Sequence, residues 1–360
     1  MPEPDASTSP QAAPLAAAAP AGGVSRRVGR IAVQAVGFLL GIAMLGWCVR
    51  LALSGENRAA LERLADAPAW ALGAMFGLSA LGVAANGLIF WATLAPVRRL
   101  WAVDVVATNF LATFLANLPF KIGLLARIAI HRRRDGVPLA VVMAWMAATA
   151  STLVLASGSL LVALPLRSLG AGAALPAAAL SAAVLGVALV VAAGPFAGRA
   201  GHRRTSRLVA RLGGRRALRL ARSGVVRELH AAADMLACGR WIALVLVLRG
   251  VDFGSQAARL GIAADLVGVE MPAADAVLIS GGHYVVGALS PFGMLGFREG
   301  AAMGAGGLLG YDGPSLAPVA LLASGSEVLA TIAGAGLALA WLRLDRVLAG
   351  KPARRVGAGA

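Results

Sequence analysis

Charge is scarce in this sequence, and acid is scarcer than base. Charged residues make up 14% of the 360 positions, with 17 Asp and Glu against 33 Lys and Arg. Soluble globular domains carry about 25% charged residues, so a sizeable soluble catalytic domain is excluded. Cysteine is nearly absent. Cys48 and Cys238 stand far apart, which gives neither a disulfide framework nor a metal-ligand spacing. The sequence also lacks a Gly-x-Ser-x-Gly elbow, a phosphate-binding glycine loop ending in Lys-Ser/Thr, and a paired-histidine zinc motif. Gly304-Ala305-Gly306-Gly307 lies in an apolar segment and is no dinucleotide fingerprint. No catalytic residue, metal site or cofactor is therefore expected.

What the chain does have is length without charge. It is 59% hydrophobic, with a mean hydropathy of +0.77. Uncharged runs cover Ile31–Val49, Pro68–Val97, Gly136–Leu166 and Ser168–Gly198. A bilayer-spanning helix needs about 20 apolar residues, so the class is a polytopic all-α membrane protein. The net charge of +16 invites a nucleic-acid partner. Cations gathering on the cytoplasmic side of a membrane protein account for it better, so no nucleic acid is expected. The Ala-, Gly- and Arg-rich composition is that of a GC-rich bacterium, and the expected location is a bacterial inner membrane.

Residues 1–25 read as a disordered Pro/Ala/Ser-rich tail. No basic stretch precedes their apolar residues, so they do not form a signal peptide. Residues 26–346 form one membrane domain, and 347–360 a basic tail. Full spans are expected at Ile31–Leu53, Pro68–Val97, Val137–Leu166, Ala174–Phe196, Trp241–Ala264 and Pro314–Leu342. Val103–Ile130 is squeezed between two basic clusters about 30 residues apart and reads as a hairpin entering from the cytoplasm. The stretch from Ala276 to Tyr311 reads as a second hairpin, entering from outside. The basic segment 199–230 resembles two short amphipathic helices hinged at Gly213-Gly214 on the inner leaflet; a plain positive-inside loop is the other reading. With this layout 24 Lys and Arg fall inside and four outside, and both termini are cytoplasmic.

Five cations and three anions fall at membrane depth: Lys121, Arg127, Arg249, Arg259 and Arg298 against Asp252, Glu299 and Glu327. A central Arg or Asp costs roughly 2.5–3.5 kcal/mol on insertion scales, so none of them faces lipid. Arg249, Asp252, Gln256 and Arg259 recur at helical spacing and form one polar stripe. It is either interhelical glue or one wall of a polar pathway. His283 joins the set as a satisfied helix histidine or a titrating ligand. Glu327 is either a proton carrier or the structural partner of Arg298. The net-positive set suits an anionic headgroup, because Arg binds phosphate bidentately.

The two hairpins share letters. ANLPFKIGLLAR (Ala116–Arg127) and GALSPFGMLGFR (Gly287–Arg298) each carry Pro-Phe, then Gly, then Arg. Entry from opposite sides makes this the pattern of an inverted-topology repeat, which places a substrate site near the midplane. Here the sequence resembles the membrane domain of lysylphosphatidylglycerol synthetases and its stand-alone flippase-like relatives. Asn117-Leu118-Pro119, Gly123 and Arg127 match the first-half pattern; Pro291, Gly293, Gly296, Arg298 and Glu299 match the second. The neutral Ala147–Thr152 and the Ser324–Glu327 stretch depart from the charges that many relatives carry there. The aminoacyl-transferring domain of the full-length synthetases is not matched. The resemblance thus implies lipid handling and not lysyl transfer.

The expected function is translocation or binding of a lipid with an anionic or lipid-linked headgroup. Its expected site residues are Lys121, Arg127, Arg249, Asp252, Gln256, Arg259, His283, Arg298, Glu299 and Glu327. The expected partners are membrane lipids. The other reading is a membrane-embedded transferase, or an accessory subunit for a lipid-modifying enzyme.

Overall fold

The computed structural model describes residues 23–118, 121–166, 171–221, 223–290 and 294–343. Both expected tails lie outside these residues, as do Pro119, Pro291 and Gly293 at the hairpin breaks. The described chain is helical and contains no strand. In order the helices are α1 (Gly23–Ala52), α2 (Arg58–Ala65), α3 (Ala69–Leu94), α4 (Ala102–Ala116) and α5 (Ile122–Arg133). Then come α6 (Leu139–Ala163), α7 (Ala171–Ala193), α8 (Gly198–Ala221), α9 (Gly224–Leu229) and α10 (Ala231–Leu236). The last four are α11 (Gly239–Val267), α12 (Ala273–Leu289), α13 (Phe297–Leu308) and α14 (Gly313–Leu342).

Six stretches are long and apolar enough to span a membrane: Ala32–Ala52, Ala69–Leu94, Leu139–Val162, Ala173–Phe196, Gly239–Val267 and Gly313–Leu342. They match the six expected spans, and the protein is multi-pass. Proline marks where several helices begin. Pro68, Pro138 and Pro272 are the N-caps of α3, α6 and α12, and Pro314 sits in the first turn of α14. A first-turn proline has no hydrogen bond to lose and a preset φ. Asp312 caps α14 by accepting from the Ser315 N–H at 3.0 Å, which with the Ser315 hydroxyl holds its carboxyl below the usual range.

The stripe-bearing α11 is central. It packs on α3, α12 and α14 and also touches α6, α7 and α2. One apolar core joins Met75 of α3, Leu260 of α11, Ile279 of α12 and Val319 of α14. A second joins Leu94, Val105, Val142 and Trp145 to Met235 of α10. The helix that follows the basic segment is thereby built into the domain.

That segment departs from expectation. It does not hinge at Gly213-Gly214; α8 runs straight through them for 24 residues. A helical glycine costs about 1 kcal/mol relative to alanine. The flanking Arg, Leu and Ala residues favour helix strongly enough to carry the pair.

Each expected hairpin is a packed pair, α4 with α5 and α12 with α13. Two glycines permit the close approach. A Cβ on Gly123 would stand 2.1 Å from the Ala112 carbonyl oxygen, so α5 lies directly on the α4 backbone. Gly296 has φ of 79°, and its Cβ would stand 1.7 Å from the carbonyl oxygen of Gly41 in α1. Gly123→Ala is expected to destabilise by roughly 1–3 kcal/mol through overpacking. Gly296→Ala should lose a similar amount plus about 1–3 kcal/mol for its backbone conformation. Gly250→Ala, inside α11 with nothing within 4 Å of the new methyl, should cost nothing and stabilise by up to about 1 kcal/mol. Thermal unfolding in detergent compares the three, and equal melting temperatures would contradict the close-contact account.

Candidate functional site

All four stripe residues are buried on the inner face of α11. Arg249 donates through Nη1 to Asp252 Oδ2 at 3.4 Å and to the Tyr284 hydroxyl at 2.9 Å. Its Nη2 reaches the Thr149 carbonyl at 3.5 Å. Asp252 Oδ1 accepts from Gln256 Nε2 at 3.1 Å, and Tyr284 also accepts from Asn86 Nδ2 at 2.5 Å. One turn further along, Arg259 donates to Ser79 Oγ and to Glu327 Oε2, both at 2.8 Å. The other oxygen of Glu327 accepts from Arg298 Nη1 at 2.5 Å. One carboxylate of α14 thus joins guanidinium groups from α11 and α13.

Glu327 is thus in contact with Arg298, as one of its two readings expects, and also with Arg259. Its neighbour in sequence to the pair, Glu299, has a different task. Glu299 Oε2 accepts from the Gly296 N–H at 2.7 Å and so closes the first turn of α13. His283 Nε2 lies 3.3 Å from Ser324 Oγ.

Between the two helix pairs lies a cavity of about 250 Å³. Of the ten expected site residues, Lys121, Arg127, Asp252, Gln256, Arg259 and Glu327 line it. Arg249, His283, Arg298 and Glu299 stand behind its walls. Sequence reasoning missed Ser79, Asn86, Asn109, Thr113, Tyr284 and Ser290, which also line it. The amides were findable, because Asn86 and Asn109 are polar side chains inside otherwise apolar helices. Tyr284, one of two tyrosines, follows the flagged His283 directly.

The first hairpin brings the cavity's uncommitted cations. Arg127 is buried, with its guanidinium carbon 3.7 Å from the centre of the Phe90 ring. Its Nη2 donates to Asn109 Oδ1, while its Nη1 is buried without a partner. Among the described residues neither Arg127 nor Lys121 has a carboxylate within 4.0 Å; the carboxylates of the core go to Arg249, Arg259 and Arg298. Lys121 is the N-cap of α5, held in the left-handed region at φ of 53°, and the first turn of α5 has no acidic residue. A helix N-terminus attracts negative charge, and this one opens beside the cavity.

The two hairpins are less alike than their letters. Arg127 is the sixth residue of α5, whereas Arg298 is the second residue of α13. The spacing from the proline is similar, but α13 starts later relative to its proline than α5 does. Arg298 therefore points its charge at Glu327 and stays off the cavity, while Arg127 faces it.

The sequence matches the family profile described as the lysylphosphatidylglycerol synthase TM region over residues 34–334. The chain belongs to that family. The match includes both hairpins, the whole α11 stripe and Glu327, and it assigns the protein a membrane role related to lipids. No curated protein and no solved structure matches the chain.

Glu327 gives a direct test of the charge network. Removing one partner of a buried pair costs about 3–5 kcal/mol, so Glu327→Gln is expected to lower stability by that order. Glu327→Gln combined with Arg298→Gln should cost less than the sum of the single changes, with a coupling of about 0.5–3 kcal/mol. Unfolding of the four proteins in mild detergent measures it; strict additivity would show that the contact carries no energy.

Proposed function

We propose that the protein moves a lipid with an anionic or lipid-linked headgroup between membrane leaflets, and that the headgroup occupies the cavity between the two hairpins. One observation carries this reading. Arg127 and Lys121 face the cavity with no carboxylate partner among the described residues, in a core where Arg249, Arg259 and Arg298 each have one. A buried guanidinium without a counter-ion costs several kcal/mol. An entering phosphate supplies that counter-ion and fits the planar fork of the guanidinium.

Helix lengths support re-entrance. At 1.5 Å per residue, α4 and α5 are about 22 and 18 Å long, and α12 and α13 about 26 and 18 Å. None matches a hydrocarbon core of about 30 Å. Each pair is then read as entering and turning back, in opposite senses, and Lys121, Gly123, Ser290 and Met294, which flank the two turns, line the polar cavity that such re-entrance needs. The bias of basic residues favours a cytoplasmic side for both termini, and on this reading the membrane is a bacterial inner membrane. Transfer chemistry has less support. Glu327 is held between two arginines, Glu299 caps α13, and His283 stands behind the wall.

Two measurements test this. Arg127→Lys keeps the charge and loses the planar fork and the stacking on Phe90. Its expected cost is about 1.5–3 kcal/mol, seen as a roughly tenfold to hundredfold weaker binding of short-chain phosphatidylglycerol and slower flipping of its labelled form in reconstituted vesicles. Arg298→Lys should instead lower the melting temperature with a smaller effect on binding. Unchanged binding and flipping in Arg127→Lys would refute the headgroup role. For orientation, single cysteines in α8 are expected to react only from the cytoplasm and cysteines between Asp265 and Asp275 only from outside. Labelling of both from one side would overturn the two-hairpin topology.

A further inference from the structure

A second cavity, of about 730 Å³, opens where the C-terminal end of α3 meets the start of α11. It shares no lining residue with the central one. We propose that it is a separate binding site for the phosphodiester of an anionic phospholipid, held by Arg99 and Arg240 beside the Trp241 ring. The proposal does not depend on translocation through the central cavity.

The lining supplies donors and no acid. Arg99 and Arg240 stand at its rim, and no Asp or Glu lines it. The neighbouring Arg98 is already committed, donating to the carbonyls of Asp135 at 2.9 Å and Gly136 at 3.0 Å. Arg99 and Arg240 are both exposed, and Arg240 lies 5.5 Å over the Trp241 ring. The first turn of α11 contains no acidic residue, and Cys238 gives it no side-chain cap. Two guanidinium groups, with no carboxylate among the described lining residues, therefore border a space that a phosphate would fill.

The walls are rigid. Trp91 and Trp241 meet edge to face, with centroids 5.4 Å apart and planes at 89°. Trp91 Nε1 donates to the Leu100 carbonyl at 3.0 Å, which fixes that ring and the loop beside it. Tryptophan of this kind settles at headgroup level in a bilayer. The apolar lining argues for a lipid over free phosphate. Leu244 lines the cavity, and Val247 and Val251 continue from it along the same face of α11, 64% and 38% exposed. Residues spaced by three and four share a helix face, so an uncovered apolar track leads away from the phosphate position, where an acyl chain would lie.

The test uses purified full-length protein in mild detergent and dioctanoyl phosphatidylglycerol, followed by native mass spectrometry and calorimetric titration. Wild type should bind two lipids. Arg99→Gln with Arg240→Gln should lose one of them, with affinity at that site at least about tenfold weaker, and the melting temperature without lipid should not move. Arg127→Gln should leave it intact. A wild type that binds one lipid, lost in the Arg99/Arg240 variant, supports this site while refuting the central one. Undiminished binding in the double variant overturns the proposal. Equal affinity for dioctanoyl phosphatidylcholine overturns the anionic preference, and equal affinity for glycerol phosphate overturns the lipid assignment.

Discussion

Glu327 stands between Arg259 and Arg298, and this arrangement decides which charges of the core remain for anything else. In an apolar medium each isolated charge is strongly penalised, so carboxylates are the limiting resource of a cation-rich interior. Asp252 is engaged by Arg249, Glu299 by the start of α13, and Glu327 by two arginines at once. Lys121 and Arg127 of the first hairpin are left without a carboxylate among the described residues, and both border the cavity beside the paired Arg259.

The two halves of the molecule thus divide their work. The second hairpin is internally compensated. Its helix start is capped by its own Glu299, and its arginine is met by a carboxylate from α14. The first hairpin has an uncapped helix start, a lysine at that position and an arginine stacked on an aromatic ring. Hydrogen bonds to the Tyr284 hydroxyl from Asn86 of α3 and Arg249 of α11 knit the second hairpin to those helices.

Much of the fold was legible in the sequence, because a bilayer makes length without charge nearly unambiguous. The six spans follow from the apolar runs, and the inward stripe follows from Arg249, Asp252, Gln256 and Arg259 recurring at helical spacing. Who pairs with whom was not legible. Arg259 and Glu327 are 68 positions apart, and periodicity says nothing about contacts between helices. The different placement of Arg127 and Arg298 was hidden because a motif counts residues from a proline, whereas a side chain's direction depends on where the helix begins. Gly213-Gly214 misled for a related reason: glycine weakens a helix without ending it when its neighbours are strong helix formers. Asn86 and Asn109 were visible as letters, but only the folded packing shows that they border the same cavity as Arg127.

The meeting of Gly41 with Gly296 has a mechanical meaning. Main chain rests on main chain there, with the Phe297 ring beside Gly41 and Met44 packed against Gly300 one turn along. Side chains act as springs between most helices and allow small relative slips by changing rotamer. At this junction no spring is interposed, so a shift of the α13 start is passed to α1 undamped. The α12–α13 turn and the first span consequently form one lever arm, and a displacement on either of them is felt at full amplitude by the other.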